Sequence, residues 1–252
     1  MAAKTNDQTL DRTLRQVLAQ ANAEQNQYYP PNVFDTHYNA VTSFILTEGV
    51  KVFGENQYIK DLLRPYLKQV LLPVKFGKAE LPDDYRHYAG ASIFVKKDFK
   101  ECMVIDGLDP DKAPTKEQLM DAQEKSKAIS WDVDMVEEDE YSDITNHSYK
   151  TPTFEFPIGC IFESDFIKVC PYDIPFIELH YIRQPKIYRY GYGVNTDDSY
   201  YYDPAMPGAV ETEWRTNADD LLFKAMNTLY AMYVRDGELG NAMAVLKKEG
   251  LF

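Results

Sequence analysis

The densest run of chemically capable side chains lies between Asp132 and Asp143, where seven of twelve positions are Asp or Glu and none is Lys or Arg. The carboxylates of Asp132, Asp134, Glu137, Glu138 and Asp139 are hard oxygen donors of the kind that hold Mg²⁺ or Ca²⁺. The run lacks the glycine and the spacing of an EF-hand loop, so it reads as a solvated, self-repelling loop that binds no ion tightly. "DGLDPDK", Asp106 to Lys112, reads as a turn. His37, His87, His147 and His180 are scattered, and none sits in HExxH or beside a cysteine at a zinc spacing. Cys102, Cys160 and Cys170 are odd in number and form no CxxC pair, which predicts reduced, partly buried thiols. There is no GxSxG, P-loop or GxGxxG, and the serines at 92, 164 and 199 have no partners that spacing assigns. The residues therefore assign no catalytic group, no metal and no cofactor, and the expectation is a protein that is not an enzyme.

A second concentration is aromatic. Six of the fifteen residues from 188 to 202 are tyrosines: Tyr188, Tyr190, Tyr192, Tyr200, Tyr201 and Tyr202. Tyrosine joins a large contact area to few rotors, which suits surfaces that meet a partner. Residues 186–209 read as an arm laid against a neighbouring subunit, with Gly191 and Gly193 letting it turn sharply. A sugar or nucleobase platform and a self-packed β-hairpin are the other readings. Leu251 and Phe252, two apolar residues after Gly250, form the other expected docking element.

The elements that must position these residues follow from periodicity. Leu10, Leu14, Val17, Leu18 and Ala21 predict a short amphipathic helix, followed by a polar linker that ends at Pro30 and Pro31. Val33, Phe34, Tyr38, Val41 and Ile45 predict a second helix. Ile59, Leu62, Leu63, Tyr66, Leu67, Val70 and Leu71 predict a third, kinked or broken at Pro65. Short β-type runs at 74–76 and 92–95 flank a turn at Pro82 to Asp84. Residues 98–150 form an insert holding an exposed helix, opened by the capping box Thr115 and Gln118, and the acidic run. Strand signals return from Thr153, with a hairpin turn at Glu163 to Phe166 and an alternating strand that Pro185 ends. Two closing helices carry the stripes Leu222, Ala225, Met226, Leu229, Tyr233 and Leu239, Ala242, Met243, Leu246.

The expected divisions are an N-terminal helix and linker (1–32), a first helical part (33–72) and a β-domain (73–185) with its insert (98–150). The tyrosine-rich arm (186–215) and a second helical part with the docking end (216–252) complete the chain. Packing the flanking helices together gives an expected α+β fold, a helical bundle from the N- and C-terminal helices with an inserted antiparallel β-domain. The formal net charge of −13 argues against gripping nucleic acid through its phosphates, but not against letting DNA pass. The polar start does not read as a secretory signal, and no apolar run reaches the roughly 20 residues that span a bilayer. The expectation is a soluble protein with no membrane partner.

The "LPDDY" turn, the "IELHYIRQP" strand and the closing "ADDLLFKAMNTLYAMYVRDGELGNA" resemble head–tail connector (adaptor) proteins of tailed double-stranded DNA bacteriophages. The resemblance covers roughly residues 33–96 and 153–246. The acidic insert and the tyrosine-rich arm depart from the compact adaptor pattern and suggest the crAss-like podophages. The resemblance implies a virion protein of the phage neck, made in the bacterial host cytoplasm and assembled as a dodecameric ring. Its implied partners are the portal protein, other neck or tail proteins and double-stranded DNA in transit without sequence-specific binding. The alternatives are a metal-dependent hydrolase using Asp132 and Asp134, and a carbohydrate-binding virion module using the tyrosines.

Overall fold

The computed structural model describes residues 10–22, 30–96, 101–103, 105, 112, 114–147, 151–162, 165–196 and 200–235. In chain order the elements begin with α1 (Leu10–Asn22), α2 (Pro31–Lys51), α3 (Gln57–Leu63) and a 3-10 turn at Arg64–Tyr66. β1 (Leu67–Pro73), β2 (Lys78–Glu80), β3 (Tyr85–Val95), α4 (Lys116–Ser126), β4 (Ile129–Asp132), β5 (Asp134–Met135) and α5 (Glu138–Asn146) follow. The remainder is β6 (Ile158–Phe162), β7 (Phe166–Cys170), β8 (Phe176–Arg183), β9 (Tyr192–Val194), β10 (Tyr200–Tyr202), a 3-10 turn at Thr216–Ala218 and α6 (Asp219–Arg235). The chain divides into two compact units, residues 1–66 with 185–252, and residues 67–184.

In the first unit, α1 buries Leu10, Thr13, Leu14 and Val17 on one face. α2 starts with Pro31 in its first turn, where the missing N–H would have no helical partner anyway. It buries Phe34, Tyr38, Val41 and Ile45 completely. The Asn56 side chain caps α3 by accepting from the Tyr58 N–H at 2.9 Å. α6 packs on α1 and α2 through Leu222, Ala225, Met226 and Leu229, with Asp219 and Asp220 in its first turn.

The second unit is two packed four-stranded sheets. One has the order β1-β8-β3-β4 and is antiparallel throughout; the other has the order β2-β7-β6-β5, with β5 and β6 parallel. Ile93, Val95, Ile177 and Leu179 of the first sheet meet Ala79, Ile167 and Val169 of the second in one core. A smaller cluster of Phe94, Met103, Leu119 and Phe176 lies under α4, which opens on the Thr115–Gln118 capping box.

This architecture overturns the expected helical bundle with an inserted antiparallel β-domain. The described residues form six α-helices and ten strands in three sheets, a mixed α/β chain. Helices α4 and α5 interrupt the strands, β5–β6 is a parallel pair, and the unit made by the chain ends carries its own β9–β10 hairpin. The helix expected over 59–71 is overturned as well. α3 stops at Leu63, Pro65 sits in the 3-10 turn, and Leu67–Pro73 become β1, which pairs with β8 at seven consecutive positions. Proline cannot donate in a helix ladder, and the open edge of β8 supplies the partners instead. The unit boundary accordingly falls after Tyr66 rather than after 72. The acidic run is not a plain loop: it spans β4, β5 and α5, and its carboxylates still face solvent. The second closing helix and the docking end at Leu251 and Phe252 lie outside the described residues.

Candidate contact surfaces

Tyr188 and Tyr190 were expected to meet a partner and instead lie inside their own unit, 1% and 5% exposed. Two polar residues one turn apart on α2 dock the segment that carries them. The Asn39 side chain accepts from the Tyr188 N–H and donates to the Tyr188 carbonyl, both at 2.8 Å, as a neighbouring strand would. Asp35 accepts from the Tyr190 N–H at 2.7 Å. Burial raises the Asp35 carboxyl above its ordinary range, and the Tyr190 N–H and the charge of Arg189 offset this only in part.

Around these contacts the hydroxyls find one another. Tyr66 and Tyr188 share a hydrogen bond of 2.6 Å, Tyr38 and Thr212 share one of 2.7 Å, and the Trp214 indole donates to Thr42 at 3.1 Å. Tyr66 meets Trp214 edge-on at 4.8 Å between centroids. Burial holds the Tyr38 and Tyr66 phenols far above their ordinary range, so both stay neutral. Tyr190 donates to Asp11 at 2.9 Å, and Tyr202 donates to Glu211. The contact role expected of Tyr188 and Tyr190 is therefore corrected, because a ring sealed in a core cannot also present a face to a partner or a sugar. Tyr192 and Tyr202 are half-buried, Tyr201 is exposed, and Tyr200 is placed by its backbone in β10. Gly191 and Gly193 make no left-handed turn; a Cβ on Gly191 would sit 2.1 Å from the Asp203 carbonyl oxygen, so close approach is what they permit.

One set of groups with potential for chemistry does meet: Ser92 donates to Glu178 at 3.4 Å, and the His180 imidazole lies 3.6 Å from the same carboxylate oxygen. Among the described residues, no group of three or more His, Cys, Asp or Glu converges as a metal cage. Asp132 and Asp134 flank Val133, which is buried and donates to the Ala91 carbonyl, while Glu138, Asp139 and Glu140 occupy the first turn of α5. Carboxylates there complement the helix dipole, which gives this part of the run a structural reason. His37 and His87 are both held below the ordinary histidine range by burial. The three cysteines are buried and unbridged, and burial pushes the Cys102 thiol up to about 12.

Two segments quoted for the family resemblance do come together. Asp84 of "LPDDY" accepts from the Tyr181 hydroxyl of "IELHYIRQP" at 2.6 Å and from Lys68 at 2.8 Å. The Asp84 carbonyl accepts from the Gln184 N–H at 2.7 Å. Residues a hundred positions apart thus clamp the end of β8 just before the chain leaves this unit.

Sequence reasoning missed two exposed features of the same unit. Lys75 and Lys78 exchange backbone hydrogen bonds of 2.8 and 2.9 Å across a two-residue turn, Phe76–Gly77. Both turn residues have positive φ, 52° and 73°, as the tightest hairpins require. A phenylalanine in that conformation costs about 1–2 kcal/mol relative to glycine, and Phe76 is 95% exposed, so burial returns nothing. Gly77 is required twice over, since a Cβ would lie 2.3 Å from the Tyr172 ring. The only cue was the Gly77 after an apolar run. At the opposite sheet edge, Trp131, Phe156, Pro157 and Ile158 line an open cleft of about 460 Å³ edged by Asp132, Asp134 and Glu155. The Trp131 indole donates to the Glu155 carbonyl at 2.8 Å, which fixes the cleft wall.

No protein-family model matches this chain, and no curated protein sequence is similar to it. No helix among the described residues is long and apolar enough to cross a membrane.

Proposed function

We propose that this chain is a structural virion protein of a tailed bacteriophage, forming a ring in the neck that joins the portal to the tail and extends the DNA channel. The observation that carries this reading is the Asp84 clamp. The "LPDDY" and "IELHYIRQP" segments, which resemble those of head–tail connectors, form one contact through Asp84, Tyr181 and Gln184. They behave as a unit of architecture rather than as separate matches. The acidic balance, with a net charge of −13, suits a wall past which DNA must slide without sticking.

Native mass spectrometry of the purified full chain, alone and with a candidate portal protein, tests the proposal. The expected result is a closed ring of uniform copy number, twelve by the resemblance, that binds the portal. A chain that binds no portal or tail protein overturns it.

A further inference from the structure

We propose that two copies of this chain join head to tail, the Phe76 hairpin tip of one copy seating in the Trp131–Phe156 cleft of the next. The inference deepens the ring reading above and rests on its self-association, while naming the two surfaces that meet.

The first surface is a projecting cation-flanked aromatic. Phe76 is bracketed by Lys75 and Lys78, all three exposed. On the adjoining strands Lys78 faces Lys168 directly across β2 and β7, and the Lys78 ammonium lies 5.2 Å over the Phe166 ring. The Lys168 ammonium lies 3.4 Å from the Phe162 ring centroid, and Tyr172 beside Gly77 is itself 58% exposed. The tip is basic and aromatic, with the exposed Glu80 at the far end of β2, within a chain whose balance is strongly acidic.

The second surface is its complement. The cleft presents apolar walls, with Phe156 68% and Trp131 36% exposed, and its rim is formed by the exposed carboxylates of Asp132, Asp134 and Glu155. An aromatic side chain entering it is desolvated against two rings, while lysines on either side of that aromatic fall among three carboxylates. Charge arranged in this way fixes register and rejects wrong partners.

The topology makes the contact intermolecular. The tip precedes β2, at one edge of the order β2-β7-β6-β5, and the cleft includes β5 and the end of β4, at the other edge of both sheets. Three strand spacings, about 14 Å, separate the two edges, so the tip of a copy cannot enter its own cleft. A contact between two different surfaces is heterologous; repeated, it closes a ring when the rotation between copies completes a full turn and otherwise runs on as a filament.

The test uses the purified full chain and sedimentation velocity, with circular dichroism to confirm folding. The wild type is expected to self-associate, and Phe76→Ser to weaken association at least tenfold at an unchanged melting temperature. Two charge-reversed chains sharpen this: Lys75→Glu/Lys78→Glu in one, Asp132→Lys/Asp134→Lys in the other. Each alone is expected to remain monomeric, because tip and cleft then carry the same charge. Mixed in equal amounts they should assemble, since every tip again meets an opposite cleft. Wild-type assembly that Phe76→Ser and both charge-reversed chains retain overturns this interface and leaves the ring reading standing. Assembly through the tip without any binding to portal or tail protein does the reverse. A wild type that stays monomeric overturns this interface, and one that also binds no portal or tail protein overturns the ring reading with it.

Discussion

In the unit built from the two chain ends, Tyr38, Tyr66, Tyr188 and Trp214 lie at the centre; Tyr66 and Tyr188 pair their hydroxyls, Thr212 partners Tyr38, and Thr42 accepts from the Trp214 indole. In the 67–184 unit the largest core cluster is mostly aliphatic, with Tyr181 its buried ring and Phe94 and Phe176 in a smaller cluster beside it, while Phe76, Tyr172, Trp131 and Phe156 stand exposed at the edges. The tyrosine-dense stretch thus stabilises its own unit, while the aromatics exposed for contact sit in a region with ordinary aromatic content. Aromatic density in a sequence does not distinguish these roles. A buried ring with a polar tip needs a partner for it, which Thr212 gives Tyr38, Asp11 gives Tyr190 and Thr42 gives the Trp214 indole, while Asn39 and Asp35 hold the backbone of Tyr188 and Tyr190; these polar residues mark the inward-facing set.

The largest expected effect comes from breaking the inward-facing set. Trp214→Ala removes the fully buried indole, leaves Thr42 without its donor and should cost about 3–5 kcal/mol. The chain has two tryptophans, one in each unit, so in this variant Trp131 fluorescence follows the 67–184 unit alone. Urea denaturation should show a much lower midpoint by far-ultraviolet circular dichroism for the helix-rich unit and an unchanged midpoint by Trp131 emission. Equal shifts in both signals would break the comparison, because the two cores would then stand or fall together.

How far this contrast could be read in advance depended on whether the deciding interactions were local. α1, α2 and α6 were legible because their stripes are local and strong, and the Thr115–Gln118 box marked α4. β1 was misread because Tyr66, Leu67, Val70 and Leu71 also fit a helix; its pairing with β8 lies more than a hundred residues away, and Pro65 was the one local warning. Tyr188, Tyr190 and Tyr192 alternate with period two, which is the pattern of a segment with one face buried. The matching cue was Asp35 and Asn39 one turn apart on α2, unremarkable until the segment is seen docked on them. The tip and the cleft were not legible. An unfavourable φ at Phe76 has no compositional sign, and the cleft joins β4, β5 and the 155–158 segment only in three dimensions.

A smaller effect should come from the Asp84 clamp, and it depends on pH. Partial burial alone would raise the Asp84 carboxyl, but the hydrogen bonds from Lys68 and Tyr181 outweigh it and hold the group below its ordinary value. A carboxylate depressed in the folded state adds stability at pH above its unfolded value near 4, and that contribution is lost as pH falls through the folded value. Asp84→Ala should therefore cost about 1 kcal/mol at neutral pH, moderated because the side chain is about one-third exposed. Urea midpoints of wild type and variant should converge toward pH 3. A gap that persists in acid would mean that lost packing, not the charged clamp, sets the difference.

The smallest effect tests the one tyrosine of the arm that is described as exposed. Tyr201 is 49% exposed and its ring lies over Gly193 across the β9–β10 hairpin, where a Cβ on Gly193 would come within 2.3 Å of Cζ. Tyr201→Ser removes a ring that covers a glycine but fills no core, so the expected cost is about 0.5 kcal/mol, near the resolution of thermal melts. Its value lies in the pairing with Phe76→Ser, another exposed aromatic whose loss should leave the melting temperature unchanged. If contact belongs to the edges of the 67–184 unit, Phe76→Ser weakens self-association and Tyr201→Ser leaves it intact. If sedimentation shows the opposite ranking, the hairpin of the chain-end unit carries the lateral contact. The difference between the units would then be one of core chemistry alone.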